Sequence, residues 1–578
     1  MLQSNHSLED WNWQRIAWGR VERFVENLQK RIYKAAIKGR HNVARKLSQL
    51  LSKSTSNILL NVRRVTQENS GKKTAGVDGK KSLSPKARKE LVEELITLKK
   101  TNFKGYKARP IRRVYIPKPP NKVRPLGIPI IKDRALQGII KTAIEPLWEA
   151  IFDENSYGFR MGYKTHDAIE AIFFNLRMKP KWVLDADITG CFDNIAHEPL
   201  LTKLDVVGRK LIKSWLKAGV MERGKLTESQ TGTPQGGIIS PLLANLAMDG
   251  MEKYLMEKRR LKGIRMIRYA DDFVVIHEDK EVIELAKELL KDWLDKIGLE
   301  LSEEKTSTVH STEGFDFLGF HLKHFPKVKT GYLADWIQTK TTSDYKLIIS
   351  PSLKKIKAHQ KSLLKTIDSH NASKASDLIK HLQPKITGFA NYYRYCCYHD
   401  AFSDINHGLN QKLWGWAKAR HSNKGQWWIA NKYFNFMEGL RWQFKGEKGE
   451  VLVKHKGSKE RYVKIRAGKS YFDGDTLYWA LRLKRGYGEI TPSKAKLLRK
   501  QNGICSYCGR IFKSGEQMES HHVIQKVSGG KDQYGNLRLM HKHCHDQYHA
   551  EYLKLKGNLL KTRGSVKVTT GKVYYSFS

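Results

Sequence analysis

Asp271 and Asp272 lie side by side in Ile264 to Ile276, a stretch that reads Ile-Arg-Met-Ile-Arg-Tyr-Ala-Asp-Asp-Phe-Val-Val-Ile. The repulsion between adjacent carboxylates is relieved only by a proton or a cation. A hard divalent ion such as Mg2+, bound through carboxylate oxygens, is the natural partner. A second source of acid stands in Trp182-Val-Leu-Asp-Ala-Asp-Ile-Thr-Gly-Cys-Phe-Asp193. A different chemistry is signalled near the C-terminal end, where Cys505-Ser-Tyr-Cys508 and His541-Lys-His-Cys544 each hold two residues between ligands. That spacing lets four N/S ligands close around a tetrahedral Zn2+. Between and beside the two pairs lie Glu519-Ser-His-His522, Gly529-Gly530, Asn536-Leu537 and Cys544-His545-Asp-Gln-Tyr-His549. Four ligands suffice to staple a loop, so His521, His522, His545 and His549 call for another role.

The flanking residues say which elements hold these groups. Apolar and β-branched residues on both sides of Asp271 and Asp272 predict two strands meeting in a tight turn, with the acids at its tip. In the second stretch, alternation across a strand puts Asp185 and Asp187 on one face and Leu184, Ala186 and Ile188 on the other. Asp187 is thereby placed to meet Asp271. From Arg112 to Arg134, β-formers alternate with Pro-rich turns and bring Arg112, Lys118, Lys122 and Arg124 together. Paired strands carrying these cations suit a triphosphate. Tyr157-Gly-Phe-Arg160 is expected to open a helix, and Gly232 to Asn245 gives a Gly-rich turn running into another. A loop without bulky side chains lets backbone come near a ligand. Residues 8–60 repeat apolar positions near a 3.6 period, from Trp11 through Ile16, Trp18, Val21, Phe24, Val25 and Leu28 to Ile32, amid Lys and Arg.

At 578 residues the chain is too long for one core. Lys plus Arg number 105 against 58 Asp plus Glu, a net charge of +47, and so large an excess identifies polyanionic nucleic acid as the partner. No apolar run of about 18 residues argues for a membrane span, and the first residues lack the charge and hydrophobic stretch of a secretory signal. A soluble, cytoplasmic protein is expected. Three of the six cysteines crowd into the His-rich stretch, which fits metal ligation in a reducing compartment rather than a disulfide framework. In residues 345–440, helical periods are followed by Phe389-Ala-Asn-Tyr-Tyr-Arg-Tyr395 and Leu413-Trp-Gly-Trp416, aromatics among cations that can stack on bases while meeting phosphates. Residues 441–500 hold 17 Lys or Arg against 6 acids and read as a short strand-rich segment suited to DNA contact.

Taken in order, the basic hairpin, the Asp187 strand, Thr233-Pro-Gln-Gly-Gly-Ile-Ile-Ser-Pro241, Tyr269-Ala-Asp-Asp272 and Phe317-Leu-Gly-Phe320 resemble the reverse transcriptases, and within them the group II intron-encoded proteins. Arg124-Pro-Leu-Gly-Ile-Pro and Tyr157-Gly-Phe-Arg160 match the family's blocks nearly word for word, with Met161 where the family has Pro. The resemblance spans about residues 60 to 325. It implies that Asp187 and Asp271 bridge two Mg2+ ions, that Asp272 completes the site and that the Ile188 carbonyl is an extra ligand. Asp185 and Asp193 fit that set less well, Asp193 suiting a structural or hydrogen-bonding part. It further implies that Phe192 lies beneath the incoming sugar and excludes a 2′-hydroxyl, that Gln235 contacts the nucleotide, and that Arg112, Lys118 and Arg124 hold the triphosphate of a dNTP. The aromatic region looks like the thumb, or maturase, domain that grips intron RNA. The last segment resembles an HNH endonuclease. That likeness implies His522 as the general base, His521, His545 and His549 around a catalytic divalent ion, and Asn536 orienting the His522 loop. His541 stands in the zinc set where many relatives have Cys.

The expected architecture is α+β and multidomain. A basic N-terminal helical extension covers residues 1–75, and right-hand polymerase fingers and palm cover 76–340. A helical thumb or maturase domain spans 341–440, a basic DNA-binding region 441–495, and a small zinc-stapled ββα-metal HNH domain 496–578. The expected function is an RNA-directed DNA polymerase and maturase. It binds group II intron RNA as a ribonucleoprotein, promotes splicing, cuts target double-stranded DNA and copies the intron from the nicked primer. A splicing cofactor that only binds RNA would not need Asp187, Asp271 and Asp272. A reverse transcriptase of host defence would not need the HNH and maturase-like segments. RNA affinity should fall steeply with salt, with a log–log slope of about −0.7 to −0.9 per phosphate neutralised. Filter binding from low to physiological salt checks this, and a flat line would contradict the electrostatic reading.

Overall fold

In the computed structural model, which describes residues 12–118, 122–204, 207–327, 344–435, 442–458, 461–485, 490–513 and 515–561, the two acidic stretches share one antiparallel sheet. Its strands are β3 (Trp182–Ala186), β6 (Arg265–Tyr269), β7 (Asp272–His277) and β8 (Ser307–His310), in the order β6-β7-β3-β8. Val183, Leu184, Val274 and Val275 are fully buried, so the central strands are covered on both faces. Register is thereby fixed, with Ala186 opposite Phe273 and Tyr269 opposite Asp272. Only Ala270 and Asp271 lie in the turn between β6 and β7. Ala270 sits there at a φ of 58°, a left-handed conformation that costs an L-residue about 1–2 kcal/mol.

That strain is held by the loop before it. Tyr157-Gly-Phe-Arg160 does not open a helix: Gly158 and Phe159 both have positive φ, and the next helix, α6 (Thr165–Leu176), starts later. The backbone turns here because Gly158 presses on the hairpin, and a Cβ on Gly158 would stand 2.5 Å from the Ala270 nitrogen.

The N-terminal segment is not a free-standing arm. Helices α1 (Trp18–Ile37), α2 (His41–Ser52) and α3 (Thr55–Arg63) pack against α5 (Ile131–Glu149) in one core, with Val25, Leu28, Ile32 and Ile58 meeting Ile139, Ile140 and Ile144. Polar side chains fix the approach: Asn57 Nδ2 donates to the Ile139 carbonyl at 3.0 Å and Asn61 Nδ2 to Thr142 Oγ1 at 3.2 Å. Trp11 lies outside the described residues. After α4 (Pro85–Lys100), strands β1 (Ile111–Lys118) and β2 (Lys122–Ile128) form the expected basic hairpin. They join β4 (Val220–Glu222) and β5 (Lys225–Thr227) in a second sheet. Short helices α7 (Cys191–Asn194), α8 (His197–Lys203), α9 (Arg209–Leu216), α10 (Ser240–Ala247) and α11 (Met251–Met256) fill the space between the two sheets, and α12 (Lys280–Asp295) backs the first.

Strands β9 (Phe315–Phe317), β10 (Phe320–Pro326) and β11 (Tyr345–Pro351) make a three-stranded sheet. It leads into the expected helices, α13 (Leu353–Asp368), α14 (Ala375–Tyr393), α15 (His399–Ala419) and α16 (Gln426–Tyr433). The expected boundaries at 340/341 and 440/441 fall outside the described residues. Beyond the two-residue strands β12 (Phe434–Asn435) and β13 (Gln443–Phe444), the described residues of 445–475 are irregular, apart from an isolated bridge between Lys445 and Val451. They run into α17 (Thr476–Lys484) and α18 (Pro492–Lys500). The strand-rich expectation fails because the segment's backbone finds partners on the helices before it and on α6 instead of on a neighbouring strand: the Val453 and His455 amides donate to Gln383 Oε1 and Asn406 Oδ1. The amide of Ile465 donates to Asp167 Oδ1 at 2.7 Å, while Tyr462, Ile465 and Trp479 are buried as single anchors. The last module is a hairpin, β14 (Met518–His522) with β15 (Leu537–His541), followed by α19 (Lys542–Lys561), a ββα unit. Among the described residues no helix is long and apolar enough to cross a membrane.

Asp167, fully buried on α6, accepts from the Lys164 amide, the Ile465 amide and the Arg482 guanidinium, the last at 3.0 Å. Asp167→Ala leaves Arg482 buried without its carboxylate, a change worth about 3–5 kcal/mol. Limited proteolysis should then cut residues 445–485 at least tenfold faster while leaving α1–α5 protected. Equal cutting rates would show that the segment is held by its apolar anchors alone.

Candidate active sites

The carboxylates gather where β3 ends beside the β6–β7 turn. Asp187 follows β3 directly, and its carbonyl accepts the Ser302 amide at 2.8 Å. Ile188, almost fully buried, bridges Leu301, so the chain on either side of the acid is clamped to residues 300–302. Burial and the neighbouring Asp187 push the Asp271 carboxyl above its ordinary range, against the pull of Lys305 and Arg124. Asp185, by burial and the charges of Asp272, Asp316 and Asp187, is pushed up to about 7. The Lys305 ammonium pairs with Asp187 Oδ2, and that bond, with Asp272 and Asp271 nearby, raises its own pKa. Asp187, Asp271 and Asp272 are thus neighbours in one electrostatic field. They are not drawn into a closed ligand set, since among the described residues only groups of the C-terminal module have ligand atoms all within 4.8 Å. An ammonium on Asp187 is what a repelling acid cluster recruits, and divalent cations would compete for the same oxygens.

A second set of side chains adjoins this cluster, linked to it by Arg124, whose charge acts on both Asp271 and Asp193. Phe192, half-buried on α7, meets Phe159 edge-on with centroids 5.9 Å apart. Gln235 is held at both ends: its Oε1 accepts from Arg124 Nε at 3.0 Å and its Nε2 donates to Asp193 Oδ2 at 3.0 Å. Its carbonyl accepts the Gly127 amide at 2.6 Å, which ties the Pro-Gln-Gly turn to β2. A side chain on Gly232 or Gly236 would strike backbone of Asp193 or Gly127, so this turn needs both glycines. Burial raises the Asp193 carboxyl while Arg113, Gln235 and Arg124 oppose the rise. Neighbours on a strand face opposite ways, and the charge that reaches Asp193 from β1 is that of Arg113. Arg112 instead sits by Arg134, whose guanidinium donates to the Gly71 and Thr74 carbonyls. Lys118 stands opposite Lys122 in the register of β1 and β2, and its side chain lies outside the described residues.

In the ββα module, ligand atoms of Cys505, Cys508, His541 and Cys544 lie within 4.8 Å of one another, three of the four residues buried. The Cys508 and Cys544 sulfurs stand 3.4 and 3.7 Å from His541 Nδ1. Hydrogen bonds from Cys508 and Cys544 drive the Cys505 thiol well down, while the same sharing drives Cys544 up. Burial alone would lower His541, but its bonds to Cys505, Cys508 and Glu516 push it up to about 11. A buried N/S set that shares protons so tightly matches the donor chemistry of a tetrahedral zinc site. Glu516, 3.1 Å from His541 Nε2, orients that ring as an outer partner.

A second group brings His521, His545 and His549 together, again within 4.8 Å. Burial and the other two imidazoles push His521 down to about 4, which leaves it a neutral donor at ordinary pH. Glu519 sits beside the group, 2.8 Å from His545 Nδ1. His522 makes its own contact, Nε2 to Asp532 Oδ1 at 2.6 Å. Asn536 spans the loop that follows: its Oδ1 accepts the Ile524 amide at 2.7 Å and its Nδ2 donates to the Ile524 and Lys531 carbonyls at 3.0 and 3.1 Å. The sequence reading missed Lys305, Arg113, Glu516, Glu519 and Asp532. Glu519 alone had a local signal, because it shares the strand face of His521.

Four family descriptions match the chain in order: "N-terminal domain of reverse transcriptase" over residues 13–95, "Reverse transcriptase (RNA-dependent DNA polymerase)" over 116–322, "Group II intron, maturase-specific domain" over 354–434, and "HNH endonuclease" over 505–551. Protein YkfC of Escherichia coli (strain K12) is 34% identical over 301 residues, covering 45% of this chain and 78% of that one. The chain belongs to the group II intron-encoded reverse transcriptases. The group II intron-encoded protein LtrA of Lactococcus lactis subsp. cremoris is 30% identical over 285 residues, covering 38% of this chain and 47% of LtrA, so the match spans about half of that relative. Maturase-like protein 1 of Euglena gracilis is 30% identical over 330 residues, covering 56% of this chain and 68% of that one. On this group II intron-encoded chain the reverse transcriptase match contains the acid cluster, the maturase match α13 to α16, and the HNH match both histidine and cysteine groups. Residues 435–504 lie between matches.

Proposed function

We propose that this chain copies RNA into DNA at Asp187, Asp271 and Asp272, assists splicing of its group II intron RNA through residues 354–434, and cleaves target duplex DNA with the ββα module. The observation that carries the reading is the convergence of Asp187 with the Asp271–Asp272 turn in one field of repelling acids, next to Gln235 and Phe192. Joining a nucleotide to a primer is an in-line phosphoryl transfer, and a pair of Mg2+ ions supplies charge stabilisation for the attacking and leaving oxygens. Asp187 and Asp271, with the Ile188 carbonyl and Asp272, are the residues to hold them. Arg124, bonded to Gln235, and Arg113, whose charge reaches Asp193, suit the triphosphate, with Arg112 and Lys118 the further cations expected from the hairpin. Phe192, edge-on to Phe159 and open on one side, suits the floor beneath the sugar.

In the ββα module, Cys505, Cys508, His541 and Cys544 suit a structural Zn2+, and His521, His545 and His549 suit one divalent ion. His522, oriented by Asp532 at Nε2, accepts a proton from water at Nδ1, while Asn536 fixes the loop it borders. The proposed layout keeps an N-terminal extension at 1–75, a polymerase at 76–340, a maturase thumb at 341–440, a DNA-binding segment at 441–495 and a nuclease at 496–578, with α1 to α3 of the extension packed into the polymerase core.

Asp271→Asn should lower primer extension about 10³-fold or more, the size expected when several kcal/mol of charge stabilisation is lost. RNA affinity should stay within about twofold, because the basic surface is untouched. Extension of a supplied primer on an RNA template, beside filter binding, separates the two, and extension near the wild-type rate would refute the acid assignment.

His522→Ala should lower duplex cleavage by the RNA–protein complex by about 10²–10⁴, the usual share of general-base help, with zinc content and primer extension unchanged. Cys505→Ser together with Cys508→Ser should instead release zinc and unfold the module, since metal binding supplies much of the folding free energy of so small a unit. Metal analysis and strand-specific cleavage read both. Full cleavage by His522→Ala would leave a zinc-stapled binding module in place of the nuclease.

A further inference from the structure

The loop that leaves β14 at His522 and returns to β15 at Leu537 exposes three branched apolar side chains: Val523 at 54%, Ile524 at 56% and Val527 at 92%. Exposure of this kind on a floppy loop would mean little, but this loop is cross-braced. The Val523 amide donates to the Asn536 carbonyl at 2.9 Å, Ile524 is bound through both backbone groups to the Asn536 side chain, and Gly530 N donates to the Gln525 carbonyl at 3.0 Å. A short 3-10 turn, Lys526–Ser528, is closed by Ser528 N and Gly529 N on Gln525 and Lys526 carbonyls. Gly530 lies so close beneath that an added Cβ would stand 1.9 Å from the Ile524 oxygen, and Gly529 holds a φ of 82°. The backbone is therefore rigid and keeps the apolar groups in water.

The same loop is chained to the site of chemistry. Lys526 Nζ lies 2.8 Å from Asp532 Oδ2, and the other oxygen of that carboxylate lies 2.6 Å from His522 Nε2. The apolar tip, which begins at the residue after His522, is thereby tied to that histidine. Lys526 and Lys531 flank the tip and are both exposed, so the surface is a hydrophobic point with a cationic rim. β-Branched side chains hold one preferred χ1, which leaves little rotamer freedom to lose on insertion. Cations that meet phosphates beside an apolar wedge that enters the minor groove and parts a base step are the complement of duplex DNA.

We propose that Val523, Ile524 and Val527 form a wedge that enters the duplex next to the scissile phosphate, unstacks a step there and so presents the phosphodiester to His522. The proposal rests on the nuclease reading above and adds what the loop does to the DNA. Insertion between base pairs unwinds the helix, a change that can be read without any cleavage.

The test uses the full-length chain carrying His522→Ala, bound to closed circular plasmid that is relaxed by topoisomerase I. A second protein adds Val523→Ser, Ile524→Ser and Val527→Ser. These residues are exposed, so zinc content and circular dichroism should match between the two. The first protein should shift the topoisomer distribution toward unwinding, and the serine variant should lose at least half of that shift per molecule bound. Equal shifts overturn the wedge, and so does a change in oligomeric state with no change in unwinding, which would make the tip a contact between copies of the chain. Nicking by the His522→Ala chain counts against the nuclease reading alone, because the shift in the remaining closed circles still reports the wedge.

Discussion

The polymerase end of the molecule depends on one buried guanidinium. Arg268, 2% exposed on β6, donates to Ser156 Oγ at 2.7 Å, to Asn245 Oδ1 at 3.2 Å and to the Ala270 carbonyl at 3.1 Å. Its backbone exchanges hydrogen bonds with Asn155 and Tyr157. One side chain thus joins three segments far apart in sequence: the Tyr157 loop, the helix after the Pro-Gln-Gly turn, and the strained turn that carries Asp271. Burial pulls its pKa down while Asp153 and Asp249 hold the charge in place. A buried charge stripped of its partners costs several kcal/mol, so these contacts are mutually binding. The left-handed Ala270 is affordable in this setting, because its carbonyl and the facing Gly158 are both fixed by the same network.

Against a net charge of +47, the gathering of Asp185, Asp187, Asp271, Asp272 and Asp316 in one field is a local reversal of sign. The fold brings them together at a cost visible in the raised Asp185 and Asp271 carboxyls, and Lys305 offsets part of it at Asp187. A polyanionic template would be held by the basic surface around the cluster, and cations would be concentrated at the cluster itself. In the ββα module, His521, His545 and His549 likewise converge beside Glu519.

What could be read in the sequence follows from the range of each interaction. The Asp271 hairpin and the phase of Asp187 are set by alternation within a few residues, and both were legible. So were the cysteine and histidine groups, whose members sit at short fixed spacing. Arg113 was not, because two adjacent cations on a strand differ only in which face meets Asp193, and that is decided by the partner sheet. Lys305 lies 118 residues from Asp187 with no local pattern to mark it. The Tyr157 loop was misread as a helix start because its positive φ values are imposed by contact with Ala270, and the segment after β13 as strands because the amides of Val453, His455 and Ile465 bind side chains of distant helices. In each case a long-range contact overrides local propensity.

The placement of the nuclease module obeys the same electrostatics. Arg510, two residues past Cys508, pairs with Glu22 and Glu26 on α1, and Lys513 also pairs with Glu26. His543, between the ligand candidates His541 and Cys544, faces both Glu22 and Glu68, and Gln67 Nε2 donates to Asp546 Oδ2 at 3.1 Å. Arg63 enters the same lattice through Glu22 and Glu68. Ion pairs this deeply buried add little net stability, since desolvation offsets their attraction, but a misplaced partner leaves a charge stranded. They therefore select one docking geometry. The residues that dock flank Cys505, Cys508, His541 and Cys544, so the segment that carries this ligand set is also the surface that meets the N-terminal helices. The acids that receive it, Glu22, Glu26 and Glu68, stand on the helices that share a core with α5, and through that core the module's position is tied to the polymerase.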